Sequence, residues 1–261
     1  MKTFWLEKEK SYLRYIDTQV GNSVLVFVHG LGSSSIADFT DVIIDERFRN
    51  YRCILIDLPG HGFSDKPQDF RYNLYDHANV IERLLDFLNI KGVTIIGHSL
   101  GGTIAVALAQ KREDLVSHLI VLEPNLDPGI GAGSKVIASQ SEQSFLQKGY
   151  KEYLSDLKTG IKDNPGDSLY YGTFSVADAL AVQRSAVGLL IGTVPPQRKV
   201  INSLKCPRTY LVSEQNINKV PTDELHALGF KVYVIPRSGH AMMNDNPEDF
   251  KNILNIAIQN R

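Results

Sequence analysis

Short apolar runs and longer amphipathic stretches alternate along the chain. A continuous apolar run of strand length occupies residues 24–30, and similar short segments rich in β-branched residues follow at 53–57, 93–97, 118–123, 208–212 and 231–235. Continuous rather than alternating apolar character is typical of strands that are covered by helices on both faces. Residues 4–8 and 12–17 alternate instead, and this pattern predicts an antiparallel hairpin ahead of the first run.

Helical patterns separate most of these runs. Apolar residues recur at a period of 3.6 over residues 74–88, with Asn73 as the expected helix cap. Further helices are expected over residues 99–112 and 223–228, and a last one begins at 246–248. Strands that alternate with helices predict a mostly parallel sheet, whose ligand site lies beyond the carboxyl ends of the strands.

One long segment interrupts this alternation. Residues 126–205 contain no convincing buried strand, but they contain several amphipathic stretches and many aromatic residues. We interpret this segment as a mostly helical cap, inserted after the sixth strand of an eight-stranded sheet. Residues 1–125 and 206–261 then form the core of an α/β fold with helices on both faces of the sheet. The aromatic residues of the cap are Phe145, Tyr150, Tyr153, Tyr170, Tyr171 and Phe174.

Charge and composition favour a small-molecule ligand. The 28 Lys and Arg residues nearly balance the 29 Asp and Glu residues, without blocks of like charge, so neither nucleic acid nor an anionic membrane is the expected partner. The two cysteines, Cys53 and Cys206, lie in predicted strand segments, which favours reduced, buried thiols. No apolar run approaches the roughly 20 residues that cross a bilayer, and the charged N-terminal residues differ from a signal peptide. We therefore expect a cytoplasmic protein.

The sequence GHSLG places a serine at the junction of a predicted strand and a predicted helix. Gly97, Ser99 and Gly101 match the pattern GxSxG, and the strand before and helix after it are what a nucleophile elbow requires. Such a tight turn projects the hydroxyl above the sheet, and glycines flank it because a Cβ would collide with adjacent backbone. The helix N-terminus at this turn also favours negative charge. Ser99 is therefore the candidate nucleophile, and a serine that only caps the helix is the structural alternative.

A serine hydroxyl is a weak nucleophile until a base takes its proton. Among the seven histidines, His240 lies just past the last predicted strand, where a loop brings it over the serine. It is therefore the candidate base. Of the other six, His98 flanks the serine on a turn that points it elsewhere. His29 and His61 lie in loop motifs, and ordinary helix or strand positions hold His77, His118 and His226.

Acyl transfer builds negative charge on a carbonyl oxygen, which needs two preorganised hydrogen-bond donors. The backbone amide of Leu100, directly after the serine, is one candidate for this oxyanion hole. The backbone amide of Leu31, in the sequence FVHGLGSS after the first long apolar run, is the other. Gly30 and Gly32 permit a close approach of the chain at this loop, although a plain glycine turn would need the same residues.

These motifs, in this order, resemble the α/β-hydrolase superfamily over almost the whole chain. They are HG at residues 29–30, DLPGHGFSD at 57–65, GHSLGG at 97–102, the cap, and SGH at 238–240. The resemblance is to the smaller capped serine esterases, C–C hydrolases and haloperoxidase-like members, and it implies their fold and a Ser–His–acid triad. In those proteins the DLPGHGFSD loop is mainly structural, so Asp57 and His61 are expected to have structural roles.

The sequence differs from the family pattern at the position of the third triad member, the acid. Similar enzymes often carry the acid just after the strand that follows the cap, but this chain has Asn216 at that position. Another branch, which resembles some haloalkane dehalogenases, has the acid one strand earlier, where this chain has Glu123. A carboxylate that ends an apolar run is costly unless it faces a partner, and neighbouring parallel strands lie about 4.8 Å apart. We favour Glu123; the alternatives are Asn216 as a neutral orienter, Glu214 or Asp127 as the acid, and a Glu123 that only caps the next turn.

We predict a serine hydrolase of carboxylic esters of small apolar substrates, with Ser99 as nucleophile, His240 as base and Glu123 as acid. Serine rather than a carboxylate at the nucleophile position argues against dehalogenation. The same residues would also serve C–C bond hydrolysis beside a ketone or peroxide exchange, and Asn216 leaves open a ligand-binding or sensor protein without turnover. No metal or organic cofactor is expected, since no ligand cluster or phosphate loop occurs in the sequence. No feature of the sequence specifies an oligomeric state.

Overall fold

One mixed sheet forms the centre of the molecule. The computed structural model describes residues 1–129, 131–162 and 167–260, and within these ranges eight strands form one sheet. The predicted strands are confirmed, with ends that differ by at most two residues. The strands are β1 (Lys2–Leu6), β2 (Ser11–Asp17), β3 (Ser23–Val28), β4 (Tyr51–Asp57), β5 (Val93–His98), β6 (Val116–Leu122), β7 (Arg208–Ser213) and β8 (Phe230–Ile235).

The strand order is β1-β2-β4-β3-β5-β6-β7-β8. The predicted hairpin is β1 with β2; β2 also pairs antiparallel with β4, whereas every pair from β4 to β8 is parallel. From β3 the chain passes outward to β4 on one side and returns to β5 on the other. The carboxyl ends of β3 and β5 therefore flank the crevice in which open parallel sheets bind their ligands.

Helices follow most of the strands. In chain order around the sheet and in the segment between β6 and β7, they are α1 (Ser35–Ile43), α2 (Leu74–Phe87), α3 (Leu100–Lys111), α4 (Ala132–Ala138), α5 (Glu142–Ser144), α6 (Tyr150–Gly160), α7 (Ser168–Val176), α8 (Ala179–Ile191), α9 (Gln197–Ser203), α10 (Thr222–Ala227), α11 (Met242–Asp245) and α12 (Pro247–Gln259). A π-helical turn, Phe145–Gly149, joins α5 to α6. The predicted cap of α2 is confirmed, because the Asn73 side chain accepts a hydrogen bond from the amide of Asp76 at 2.9 Å.

The two faces of the sheet are buried against different helices. In β3, Val26 and Val28 belong to the apolar cluster that includes α2 and α3, whereas Leu25 and Phe27 belong to the cluster that includes α1 and α12. Successive side chains of a strand point to opposite faces, so a strand buried on both faces must be apolar at every position. This requirement explains the continuous apolar runs of the sequence.

Helices α4 to α9 form the insertion between β6 and β7, within the predicted limits of 126–205. The insertion is bonded to the core, since the amide of Asp178 donates to the carbonyl of Gly60 at 2.8 Å. In the described ranges, no single helix is long and apolar enough to cross a membrane. The helices α7 and α8 meet that criterion only as a pair, and this pair is bent by 109°.

Candidate active site

Ser99 lies on a strained turn between β5 and α3. Its φ is 50° and its ψ is −114°, a conformation that non-glycine residues adopt at a cost of roughly 1–3 kcal/mol and only where the surroundings enforce it. The amide of Ser99 donates to the carbonyl of Leu122 at 2.8 Å, and its carbonyl accepts from the amide of Thr103 at 3.1 Å. The turn is therefore fixed from both sides at the N-terminus of α3.

The flanking glycines are required by close backbone contacts. A Cβ on Gly97 would lie 2.4 Å from the carbonyl oxygen of Gly101. A Cβ on Gly101 would lie 2.2 Å from the carbonyl oxygen of Val28 in β3. The elbow thus packs directly on the neighbouring strand, with no room for a side chain at either glycine.

Glu123 ends β6 next to the elbow. In the parallel register of β5 and β6, His98 pairs with Leu122, so Ser99 and Glu123 occupy the next positions on adjacent strands. Glu123 is 9% exposed and also has a positive φ, of 43°. Its Oε2 lies 2.6 Å from Nδ1 of His240, which is 117 residues away in sequence. The acid and the base favoured from the sequence are therefore in contact.

Three further hydrogen bonds hold the Glu123 carboxylate. Its Oε1 accepts from the amide of Ser213 at 2.8 Å and from the hydroxyl of the same residue at 2.6 Å. Its Oε2 accepts from Nδ2 of Asn216 at 2.9 Å, in addition to the contact with His240. Burial raises the pKa of Glu123, but His240 and Ser213 more than offset this effect, so the pKa falls from 4.5 to about 2. The group is an ionised hydrogen-bond acceptor at neutral pH.

The other acid candidates have different partners. Asn216 bonds to Glu123, and its Oδ1 accepts from Nζ of Lys219 at 3.0 Å. The Glu214 carboxylate accepts from the amide of Arg237, and Asp127 forms an ion pair with Arg198 at 2.7 Å. None of these four contacts involves His240.

The imidazole of His240 reaches solvent, with 52% of its side chain exposed. Its Nδ1 faces Glu123, which leaves Nε2 on the opposite edge of the ring. Within the described part of the chain, the hydroxyl of Ser99 makes no hydrogen bond, with His240 or with any other group. His98 makes an additional contact: its Nε2 lies 2.9 Å from the carbonyl oxygen of His240, an interaction the sequence did not indicate.

The two predicted oxyanion-hole amides border the same turn. A Cβ on Gly30 would lie 3.4 Å from Cβ of Ser99, which places the Gly30–Leu31 peptide against the serine. In the described ranges, neither the amide of Leu31 nor that of Leu100 donates to a protein acceptor. The insertion reaches this loop as well, since the hydroxyl of Tyr170 donates to the carbonyl of Leu31 at 3.1 Å. A Cβ on Gly32 would collide with the ring of Phe174 at 2.2 Å.

Asp57 and His61 of the DLPGHGFSD loop are buried, and their hydrogen-bond partners lie outside the Ser99 turn. The Asp57 carboxylate accepts from the hydroxyl of Ser34 at 2.8 Å and from the amide of Phe63 at 2.9 Å. Nδ1 of His61 lies 3.1 Å from the carbonyl oxygen of Pro59, and burial lowers the pKa of His61 to about 3. No three His, Cys, Asp or Glu side chains of the described residues are arranged to hold a metal ion.

Residues 23–154 match the family model described as alpha/beta hydrolase fold. The chain belongs to the α/β-hydrolase fold family. This match and the eight-stranded sheet confirm the resemblance and the fold class predicted from the sequence.

Curated relatives align with different shares of the chain. The chain is 33% identical to "Probable lysophospholipase BODYGUARD 3" of Arabidopsis thaliana over 136 residues, which are 48% of this chain and 27% of that protein. The chain spans well under half the length of the first curated relatives it matches. A longer alignment, at 27% identity, joins it to "2-(acetamidomethylene)succinate hydrolase" of Mesorhizobium japonicum, over 86% of this chain and 84% of the relative.

Among solved structures, a carboxylesterase of Nitrososphaera gargenis superposes over 100% of both chains, with a TM-score of 0.82 at 18% identity. At this identity the likeness establishes a common fold. It does not by itself transfer an activity.

The packing of the elbow yields a prediction about stability. Replacing Gly101 with Ala in α3 is expected to lower the free energy of unfolding by roughly 1–3 kcal/mol, because the new methyl group would collide with Val28. The matched control is Gly172→Ala in α7, where no atom lies within 4 Å of the new Cβ and alanine stabilises the helix by up to about 1 kcal/mol. Urea denaturation measures both; equal effects would contradict the close elbow packing.

The ionised state of Glu123 yields a second prediction. Because its pKa is about 2 in the folded chain and 4.5 in the unfolded chain, its contribution to stability is complete above pH 4.5 and is lost as the pH falls through about 2. The difference in free energy of unfolding between wild type and Glu123→Gln should therefore shrink from pH 4.5 to pH 2. A difference that stays constant or grows as the pH falls would contradict the hydrogen-bonded carboxylate.

Proposed function

We propose that the chain is a serine hydrolase that cleaves carboxylic esters of small apolar substrates through an acyl-enzyme on Ser99. The observation that carries the proposal is the 2.6 Å contact between His240 and the buried Glu123, at the strand position next to the strained serine turn. Nucleophilic catalysis by serine needs a hydroxyl as nucleophile, an imidazole as base and a carboxylate that orients the imidazole.

In this mechanism Glu123 determines which nitrogen of His240 carries the proton. An ionised carboxylate only accepts hydrogen bonds, so Nδ1 of His240 donates to it and Nε2 keeps a free lone pair. Nε2 takes the proton of Ser99 as the hydroxyl attacks the substrate carbonyl carbon. The hydrogen bond between Ser99 and His240 forms as substrate binds, since catalytic hydrogen bonds are often long in free enzymes.

The attack turns the carbonyl oxygen into an oxyanion, which the amides of Leu31 and Leu100 stabilise. Their lack of protein acceptors in the described chain supports this role, because preorganised donors must be free when charge develops. His240 then protonates the leaving alcohol, and the ester bond breaks. In the second half-reaction His240 removes a proton from water, the hydroxide attacks the acyl group, and the proton returns to Ser99.

Apolar groups around the loop support an apolar ester as substrate. Phe174 packs on Gly32, and Tyr170 is bonded to Leu31, so aromatic rings of the insertion border the loop that carries one of the proposed oxyanion donors. The carboxylesterase that shares this fold is consistent with the same chemistry. The close contact of Glu123 with His240 also favours a catalytic protein over a ligand-binding one, because Asn216 supports the acid rather than replaces it.

The nucleophile is tested by covalent labelling. An organophosphonate is expected to add to Ser99, identified by mass spectrometry of the modified peptide, and short nitrophenyl esters should be turned over. Ser99→Ala should remove both properties, whereas Ser175→Ala, an exposed serine of α7, should retain both. Aromatic and acidic diketones and hydrogen peroxide, assayed beside esters of increasing acyl length, distinguish ester hydrolysis from C–C cleavage and peroxide exchange. A folded wild-type protein that is neither labelled nor active would refute the proposal.

The role of Glu123 as the acid is tested by moving the carboxylate from position 123 to position 216. Glu123→Gln should lower kcat by roughly 10³–10⁴-fold, because an amide cannot stabilise the imidazolium by charge. Asn216→Ala should lower kcat by less than about tenfold, because three other contacts still hold the carboxylate. In Glu123→Gln/Asn216→Asp an acid returns beside His240, and kcat should rise at least about tenfold above that of the single Gln variant.

The matched control for this double variant is Glu123→Gln/Asn202→Asp, which adds the same charge on the exposed side of α9 and should give no rescue. Steady-state kinetics with one nitrophenyl ester measures all variants. A larger loss from Asn216→Ala than from Glu123→Gln would show that the acid function does not lie on Glu123.

A further inference from the structure

We propose that His98, the residue before the nucleophile, is a positioning residue that fixes the backbone of His240 and the Gly30–Leu31 peptide around Ser99. The inference rests on the proposed function and deepens it. His98 ends β5 and is buried, with 7% of its surface exposed, so its position follows directly from the sheet. A side chain on this rigid strand contacts both loops that must meet at the serine.

The first contact is with the base. Nε2 of His98 lies 2.9 Å from the carbonyl oxygen of His240, and the two rings pack at 4.7 Å between centroids. A carbonyl oxygen only accepts hydrogen bonds, so Nε2 of His98 carries the proton and donates it. This bond acts on the main chain of His240 and leaves its imidazole free to work between Glu123 and Ser99.

The second contact is with the oxyanion loop. Nδ1 of His98 would lie 2.9 Å from a Cβ on Gly30, so the imidazole is packed directly against that glycine. Nδ1 is also buried without a hydrogen-bond partner in the described residues. The ring therefore fills the space between the Gly30 loop and the His240 loop, and glycine is needed at position 30 for it to fit.

The environment keeps His98 neutral. Burial, followed by the nearby His240, lowers the pKa of His98 to about 3, while Glu123 opposes this effect and His29 adds to it. A neutral ring with its proton on Nε2 is the form that donates to His240 without placing a second positive charge beside the imidazolium formed in catalysis. His98 therefore does not compete with His240 for the serine proton.

The rest of the His240 loop has tethers of its own. The amide of Gly239 donates to Asp245 at 2.7 Å, and the hydroxyl of Ser238 donates to the carbonyl of Ile235 at 2.8 Å. Loss of the His98 bond should therefore loosen residue 240 itself while the loop around it stays folded. This separation makes a positioning role distinguishable from a structural one.

The test compares two replacements of His98. His98→Phe keeps an aromatic ring but has no donor, and His98→Gln supplies an amide donor at a similar distance from the backbone. In His98→Phe, kcat for a short nitrophenyl ester and the rate of phosphonate labelling of Ser99 should each fall about tenfold, because misplacement of a catalytic group is costly. KM should change less than about twofold, and His98→Gln should keep kcat within about threefold of wild type.

A second readout does not depend on turnover. Hydrogen–deuterium exchange of a peptide spanning residues 238–242 should be faster in His98→Phe than in wild type, and close to wild type in His98→Gln. His77→Phe is the control, since His77 is another buried histidine, bonded to Ser185 of α8 outside the site, and should leave this peptide unchanged.

Unchanged kcat and exchange in His98→Phe would overturn the positioning role. So would a loss equal in His98→Phe and His98→Gln, or one accompanied by the same loss in His77→Phe. If the wild type itself is folded but neither active nor labelled, the proposed hydrolase function fails, and the exchange data alone then decide whether His98 fixes residue 240.

Discussion

The parallel pairing of β5 with β6 is the constraint on which the rest of the site depends. It sets Ser99 beside Glu123, and both residues leave their strands with a positive φ, 50° for the serine and 43° for the glutamate. Such strain is tolerated only where packing and hydrogen bonds enforce it. Here Gly97 and Gly101 allow the elbow to pack on neighbouring backbone, and Ser213 of β7 binds the glutamate from the other side. Three adjacent strands thus determine the position of two side chains.

The carboxylate of Glu123 explains the amide at position 216. Oε2 already accepts from His240, and a second acid at position 216 would place two negative charges about one hydrogen-bond length apart, which raises the pKa of one of them. An amide avoids this repulsion because Nδ2 donates to the carboxylate. Its Oδ1 in turn accepts from the ammonium group of Lys219, which orients the amide. The glutamate at the end of β6 and the asparagine after β7 therefore form a hydrogen-bonded pair in which only one member is charged.

Local patterns predicted the strands, the helix cap at Asn73 and the setting of the serine, because each depends on residues close in sequence. The α1 helix had no counterpart among the predicted elements: a run of three serines, residues 33–35, spans its start, and serine favours turns as well as caps. In the structure Ser34 caps α1 by accepting from the amide of Ala37 at 3.3 Å. The partner of Asn216 lies 93 residues away, and no periodicity specifies a contact of that kind.

The aromatic residues of the insertion show why composition was a weak guide to the substrate. Phe145 and Phe174 are completely buried, and Phe174 packs against the rings of Tyr150, Tyr153 and Tyr170. Most of this aromatic surface thus stabilises the insertion itself. The exception is the end of the cluster that meets the Leu31 loop, where burial raises the pKa of Tyr170 and keeps its hydroxyl a donor. Because this bond joins the insertion to the loop of Leu31, a change in the cap also acts on the geometry of that loop, which carries one of the two proposed oxyanion donors.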